Sequence, residues 1–322
     1  MIITKPDTWG SQMRPIVTIG VCVKNCENFV KDAVESVCHQ DYPSELMEVI
    51  FVDDGSEDKT LSIIGKYVPK MKMKVKVFHH EWMGLGYSRN VVVNSASGDY
   101  IIWVDGDMIL PSDHVTKQVE FMEKNPQVGI GKAKYGLGRK ENVVSLLENI
   151  PFMVYDSKNG SLDLKLPGTG GAIYRVNAIR QAGSFDEQLA GVGEDQDAAY
   201  RVRQAGWTMG RSPAFFYERR VRTWGNLWRK YFWYGYGDYQ LYRKNRNIFS
   251  PYKMVPIAGF IAGIMISPGA YHITRRMSVF LLPFHFAFKM AAWCAGFIRN
   301  QTDSWIALGV YPKLKERSSS LG

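Results

Sequence analysis

Short apolar, β-branched runs that each break off in aspartate, with stretches of helical spacing between them, leave a chain few ways to fold. Tyr100-Ile101-Ile102-Trp103-Val104 runs into Asp105-Gly106-Asp107, and Val49 to Val52 runs into Asp53-Asp54-Gly55-Ser56. Ile16 to Val23 and Lys74 to Phe78 are two further strand candidates. Asn28 to His39, Lys59 to Tyr67 (with Asp58 placed to cap it) and Leu85 to Ser95 read as helices, and Pro111-Ser112 opens another. Repeated β-α alternation predicts a parallel sheet covered by helices. The carboxyl ends of such strands share one edge, where open α/β sheets place their ligands, so both acidic clusters are expected to face one ligand. No glycine-rich dinucleotide fingerprint follows the first strand, which argues against a dinucleotide fold.

Gly106 lets the backbone turn so that Asp105 and Asp107 can address a single ion. Two hard oxygen ligands together with substrate phosphates suit Mg²⁺ or Mn²⁺. Asp-Gly-Asp is also ordinary turn chemistry, so the tripeptide alone leaves both readings open. Four cysteines without paired Cys-x-x-Cys units make a zinc site unexpected. No apolar core of signal-peptide length lies between Met1 and Pro15, and reduced thiols in the cytosol are the expectation.

The net charge is +9, and the basic residues gather in Arg219-Arg220, Arg222, Arg229-Lys230, Arg243-Lys244 and Arg246, interleaved with Trp224, Trp228, Tyr231, Trp233 and Tyr234. Such a segment suits stacked bases or an anionic membrane surface. The sequence downstream favours the membrane. Met254 to Tyr271 carries no charged side chain, though Pro256, Gly259, Gly263, Pro268 and Gly269 weaken it as a straight helix. Met277 to Ile298 is a second apolar run in which Ser278, His285 and Lys289 share one helical face. A central lysine disfavours a lipid-exposed span, so the stripe is expected to face the first segment, or the helix to lie in the interface. Nucleic acid is not an expected partner; steep salt dependence of binding would mark that alternative.

In order along the chain, Val52-Asp53-Asp54-Gly55-Ser56, Gly84-x-Gly86-x-x-x-Arg89-Asn90, Ser97-Gly98-Asp99-Tyr100 and Asp105-Gly106-Asp107 resemble the donor half of family 2 glycosyltransferases. The resemblance covers roughly the first two-thirds of the chain, and the ordered set is far more specific than any one member. It implies a Rossmann-like GT-A single domain with a mostly parallel central sheet, inverting chemistry and a nucleotide-sugar donor. An aspartate of the Asp53/Asp54 pair would contact base or ribose, and Asp105 and Asp107 would be the metal-binding motif under the donor diphosphate. Arg89 would fork onto phosphate oxygens, or form a structural salt bridge beneath the sheet. Gly193-Glu194-Asp195-Gln196-Asp197 resembles the acidic acceptor-side motif, with Asp195 in the position of the catalytic base. Carboxylates opening a helix are favoured by its dipole whatever the function, so Glu194 and Asp197 are read as capping or orienting groups, with Arg201 pairing to Asp197. Where many relatives carry a metal-completing histidine, this chain offers Glu218, a candidate ligand or a surface residue. His79, His80 and His114 look like strand-end or surface positions, and His39 has no evident partner. Small residues at Gly170 and Gly171 would admit a sugar or acceptor, or mark a crowded strand crossing. Leu137 to Asn159 reads as mixed helix and loop, a lid or part of the acceptor wall.

The expected organisation is a catalytic domain over 1–218 (donor half about 14–135, acceptor half about 136–218), a basic-aromatic interfacial helical segment over 219–253, a membrane-associated helical hairpin over 254–300 and a tail over 301–322. The expected activity is transfer of a sugar from a nucleotide diphosphate donor to a lipid-linked or saccharide acceptor at the cytosolic membrane face, with Mg²⁺ or Mn²⁺ as cofactor. A non-catalytic nucleotide-binding scaffold of the same fold is the other alternative.

Overall fold

The computed structural model describes residues 14–136, 142–158, 166–189, 191–219 and 222–307. Residues before 14, Arg220, both edges of the 137–159 stretch and the tail beyond 307 lie outside them. The first half alternates as its patterning predicts: β1 (Val17–Val23), α1 (Val30–Cys38), β2 (Met47–Asp54), α2 (Thr60–Tyr67), β3 (Lys74–His80), α3 (Leu85–Ser95) and β4 (Tyr100–Asp105). There follow β5 (Met108–Ile109), α4 (His114–Lys124), β6 (Val128–Tyr135), α5 (Val143–Lys158), β7 (Ala172–Arg175), α6 (Val176–Gln181), α7 (Glu194–Gln204) and β8 (Thr208–Glu218). Three long helices close the described chain: α8 (Trp224–Lys244), α9 (Pro256–Thr274) and α10 (Leu282–Ala307).

The strands form one sheet in the order β3-β2-β1-β4-β7-β6-β8-β5. It is mostly parallel; β7 runs against β4 and β6, and β5 against β8. Continuous burial of β1 and β2 explains their unalternating apolar sequences, because both faces of a parallel sheet are covered. Period-two alternation then sorts their side chains between two cores. Val17, Ile19, Phe51 and Ile102 pack with Val34 and Val37 of α1 and Val115 of α4. Ile50, Val52 and Trp103 pack on the other side with Val92 of α3, Ile179 of α6 and Ala198 of α7.

The stretch expected as loose helix and loop contains a helix, α5, with Pro151 inside it. Its periodicity is blurred because its buried face is partly polar: Ser145, Glu148 and Asn149 are buried beside Leu146, Leu147 and Ile150. The polar stripe of α10 supplies the partner. Lys289 Nζ lies 3.1 Å from Glu148 Oε1 and 3.1 Å from the Tyr231 hydroxyl, and His285 Nε2 is 3.5 Å from the same carboxylate. The stripe therefore meets α5 and α8, where the sequence pointed to α9. A third apolar core joins Leu146, Leu147, Ile150 and Val154 of α5 to Ala270 of α9 and Leu282 and Phe286 of α10. Between α8 and α10 the backbones touch: a Cβ at Gly235 would collide with the Trp293 carbonyl, and one at Gly296 with the Phe232 carbonyl.

The Lys289–Glu148 pair is buried on both sides, and breaking such a pair from one side strands a charge in the interior. Lys289→Met is expected to lower stability by about 3 kcal/mol in urea unfolding. Adding Glu148→Gln to that variant should recover part of the loss.

Candidate active site

The strand register brings the acidic ends together. Val23 at the end of β1 pairs with Asp53 of β2, and Cys22 pairs with Asp105 of β4. β1 is the point at which the order turns outward in both directions, so the crevice above it is where an α/β sheet takes its ligand. A small hollow of about 260 Å³ lies at the end of β1, and on the β4 side of it a cavity of about 830 Å³ opens, lined by Arg89, Asp105, Lys132, Gly170, Glu194, Asp195 and Glu218 among others. Five separate parts of the chain thus supply its charged floor: α3, the ends of β4 and β8, strand β6, and the first turn of α7.

Arg89 organises that floor. Its guanidinium is buried, donates to Glu194 Oε1, and has Nη2 4.0 Å from Asp105 Oδ1. The rings of Trp103 and Phe185 lie 5.9 and 5.6 Å from its carbon, which suits a planar cation. Burial acts to lower the Arg89 pKa, but Glu194, Asp195 and Asp105 more than reverse it and hold the cation charged. Burial pushes Glu194 up to about 7, against Arg89 and with help from Asp195. Burial also raises Asp105; Arg89 and Lys132 oppose this, while Glu218 and Asp195 add to it. Asp195 stands in the first turn of α7, its Oδ1 accepting the Gln196 N–H at 2.7 Å.

Other acidic residues occupy separate positions. Asp107 lines a smaller hollow of about 260 Å³ with Lys24, Cys26 and Phe29, on the β1 side of the Gly106 turn. Asp53 is buried and accepts from the Ser56 hydroxyl at 2.5 Å, with His79 Nδ1 2.7 Å away. Asp54 accepts the N–H groups of Met83 and Gly84 at 2.8 and 3.2 Å, and so fixes the loop that enters α3. Asp197 is buried between Arg201 Nε and Lys244 Nζ, both at 2.8 Å. Glu218 faces the cavity and pairs with Lys230 at 3.8 Å, which removes it from the surface. Gly171 adopts φ +66° and packs where a Cβ would strike Phe216; at Gly170 a Cβ would strike Met108. The crowded crossing and the cavity wall are therefore the same feature. His114, expected at a strand end or surface, is fully buried, its Nδ1 2.6 Å from the Phe215 carbonyl, because α4 packs its first turn against β8.

Among the described residues no three His, Cys, Asp or Glu donors converge as a ready cation cage. The donor set still suits Mg²⁺ or Mn²⁺: Asp105, Glu218 and Asp195 crowd negative charge onto one floor, and such ions take one or two carboxylates and complete their shell with phosphate oxygens and water.

Two lining residues escaped the sequence reading. Lys132 of β6 donates to the Gly168 carbonyl at 3.0 Å and to that of Gly170; a lysine set between the buried run Val128–Gly131 and buried Ala133 was the available signal. Asp238, on the basic-aromatic α8, is buried with Oδ2 accepting the Trp293 indole N–H at 2.7 Å. Its Oδ1 is buried without a hydrogen-bond partner among the described residues. Nothing short of the helix packing marks it out.

The model of the family described as "Glycosyl transferase family 2" matches residues 18–183. An uncharacterized glycosyltransferase of Haemophilus influenzae is 33% identical over 111 residues, 34% of this chain and 44% of its own length. The poly(ribitol-phosphate) beta-N-acetylglucosaminyltransferase TarS of Staphylococcus aureus is 32% identical over 101 residues, 31% of this chain and 18% of its own. The uncharacterized glycosyltransferase EpsJ of Bacillus subtilis is 33% identical over 138 residues, 42% of this chain and 39% of its own. Each match spans less than half of the relative's length. Among solved structures, the mannosyltransferase PcManGT of Pyrobaculum calidifontis, in complex with GDP-Man and Mn²⁺, superposes with a TM-score of 0.62 at 17% identity, covering 92% of this chain and 91% of its own. That likeness establishes the shared fold.

Burial raises the Asp238 carboxyl to about 6, opposed by the Trp293 bond and assisted by Asp195. The folded protein then keeps a proton that the unfolded chain releases from about pH 4, so this group's contribution to stability falls as pH rises to 6. Asp238→Asn, whose carbonyl can still accept from Trp293, is expected to gain about 2 kcal/mol at pH 7.5 and almost nothing at pH 4. Urea unfolding at the two pH values measures the difference.

Proposed function

The chain belongs to glycosyl transferase family 2, and we propose on that footing that it moves a sugar from a nucleoside-diphosphate donor to a lipid-linked or saccharide acceptor by a single inverting displacement. The observation that carries this reading is the meeting of Asp105, Arg89 and Asp195, from three different elements, at one cavity. The donor is assigned across the carboxyl edge of β2, β1 and β4, reaching from the hollow at Asp107 into the larger cavity, with Asp53 and Asp54 toward the nucleoside and Asp105, Asp107 and Arg89 toward the diphosphate. Mg²⁺ or Mn²⁺, held by Asp107 and Asp105 with Glu218 nearby, would neutralise charge on the leaving diphosphate; the PcManGT complex carries Mn²⁺ and GDP-Man.

Asp195 takes the proton of the acceptor hydroxyl as its oxygen bonds to the anomeric carbon. The bond from that carbon to the diphosphate oxygen breaks, and its electron pair leaves with the diphosphate. With a phosphate acceptor there is no proton to remove, and Asp195 only orients. Glu194, fixed by Arg89, and Asp197, fixed by Arg201 and Lys244, hold the first turn of α7 in place. Gly170 lines the adjacent wall, with Gly171 packed behind it on Phe216.

The same cavity extends to Phe152 and Tyr155 of α5, Ile266 of α9 and Phe286 of α10, an apolar end that suits a lipid-linked acceptor. α9, and the stretch from Met277 to Ser304, are long and apolar enough to cross a membrane. We therefore assign 1–218 to catalysis (donor half about 14–135, acceptor half about 136–218), 219–253 to the interface, 254–300 to membrane association and 301–322 to a tail, with the site on the cytosolic face.

The test is release of nucleoside diphosphate from a panel of nucleotide sugars with Mn²⁺ in a membrane extract as acceptor source. Asp195→Asn should cut turnover to a hydroxyl acceptor by about a hundredfold or more, while thermal stabilisation by nucleoside diphosphate with Mn²⁺ survives. Undiminished turnover in the variant would remove Asp195 from its role.

A further inference from the structure

The three C-terminal helices are stacked outward in layers. α8 lies along the catalytic unit and is pinned near both ends: Lys230 pairs with Glu218, and Lys244 with Asp186 and Asp197 at 2.6 and 2.8 Å. α10 lies along α8, joined by Trp293 to Asp238 at 2.7 Å and by Asn300 to the Tyr236 carbonyl at 2.6 Å. α9 lies outermost. Its small residues Gly259, Gly263, Ser267 and Ala270 are its buried face, with Gly259 and Gly263 set against Phe286, Met290 and Pro283 of α10.

The opposite face of α9 is exposed and apolar from Ile257 to Pro268, with the exposed His272 one turn further on. Ile257 is 71% exposed and Met265 75%, with Ile261 and Ile264 between them at helical spacing. Beyond the turn, Met277 at 70% and Phe284 at 64% extend the same apolar surface. Lys253 precedes α9 and Arg275-Arg276 follow it, all exposed. Cations thus stand at both ends of a helix about 28 Å long. A surface of this kind, apolar and rimmed by cations, matches the boundary between acyl chains and anionic headgroups.

Resting on the membrane-associated reading above, we propose that α9 does not cross the bilayer: it lies in the plane of one anionic leaflet, with Ile257, Ile261, Ile264 and Met265 dipped among the acyl chains. A crossing orientation would require α10 to follow α9 into the hydrocarbon, and α10 is fastened lengthwise to a charged helix that is itself ion-paired to the catalytic unit. The buried Lys289, His285 and Glu148 then sit in protein, where their partners are. In this pose the apolar end of the cavity, at Ile266 and Phe286, is walled by the two helices nearest the lipid.

The experiment uses the full chain and vesicles of phosphatidylcholine and phosphatidylglycerol at about 3:1, beside pure phosphatidylcholine. The protein should float with the anionic vesicles and far less with the neutral ones. Ile261→Glu with Met265→Glu, both at exposed positions, should weaken binding at least about tenfold without changing the melting temperature. A membrane-impermeant maleimide added to sealed vesicles should label Lys253→Cys and Arg276→Cys alike above the parent's background. Labelling of only one of the two would show a crossing helix and overturn the in-plane pose while leaving membrane attachment intact. Failure to bind any vesicle would overturn both. A stable dimer in buffer that Ile261→Glu dissolves would give the face to a second copy and likewise overturn the proposal. None of these readouts uses turnover, so sugar transfer stands or falls separately.

Discussion

A buried ion pair, Arg89 with Glu194, spans 105 residues of sequence and ties the helix after β3 to the helix that carries Asp195. Burying two charges is costly, and such a pair often adds little net stability over an apolar replacement. Its effect here is geometric. Arg89 is held against the paired rings of Trp103 and Phe185, Glu194 is held by Arg89, and Asp195 follows Glu194 in the same helical turn. The end of β4 and the first turn of α7 are therefore set against each other by one guanidinium. Without its positive charge, Asp105, Glu194, Asp195 and Glu218 would repel one another across the cavity floor.

Around that floor the walls come from parts of the chain beyond the family match at 18–183. Lys230 and Asp238 of α8, Ile266 of α9 and Phe286 of α10 line the same cavity as Asp105. The C-terminal helices are consequently both the outer surface of the protein and the inner surface of its site. The Lys289–Glu148 pair and the shared core of α5, α9 and α10 fix this arrangement from inside. The exposed apolar face of α9 and the inner wall of the cavity belong to one stack of helices.

Much of the architecture was legible because parallel sheets write themselves as unbroken apolar runs. β1, β2, β3, β4 and α3 lie within a few residues of where patterning predicts them, and the strand-end carboxylates of β2 and β4 stand at one edge of the sheet. What patterning could not resolve were positions whose partners are distant in sequence. The stretch around Glu148 looked irregular because its burial depends on Lys289, 141 residues away. His114 looked peripheral because nothing local shows that β8 covers it. Asp105 and Asp107 looked equivalent, yet the Gly106 turn directs one into the large cavity and the other into the hollow beside Lys24. Asp53 and Asp54 are both committed to hydrogen bonds that shape the loops around them. Lys132 and Asp238 became visible only once strands and helices were assembled.

The central claim is that these dispersed charges serve one donor diphosphate and its cation. It is tested most directly by Mn²⁺ anomalous scattering from crystals grown with a nucleoside diphosphate. The account predicts a single strong peak at the Asp105-Gly106-Asp107 turn, bridging at least one of those carboxylates to phosphate oxygens, with Arg89 and Asp195 facing the same ligand. A peak remote from that turn, or a diphosphate bound away from the cavity that Arg89 and Asp195 share, would contradict it.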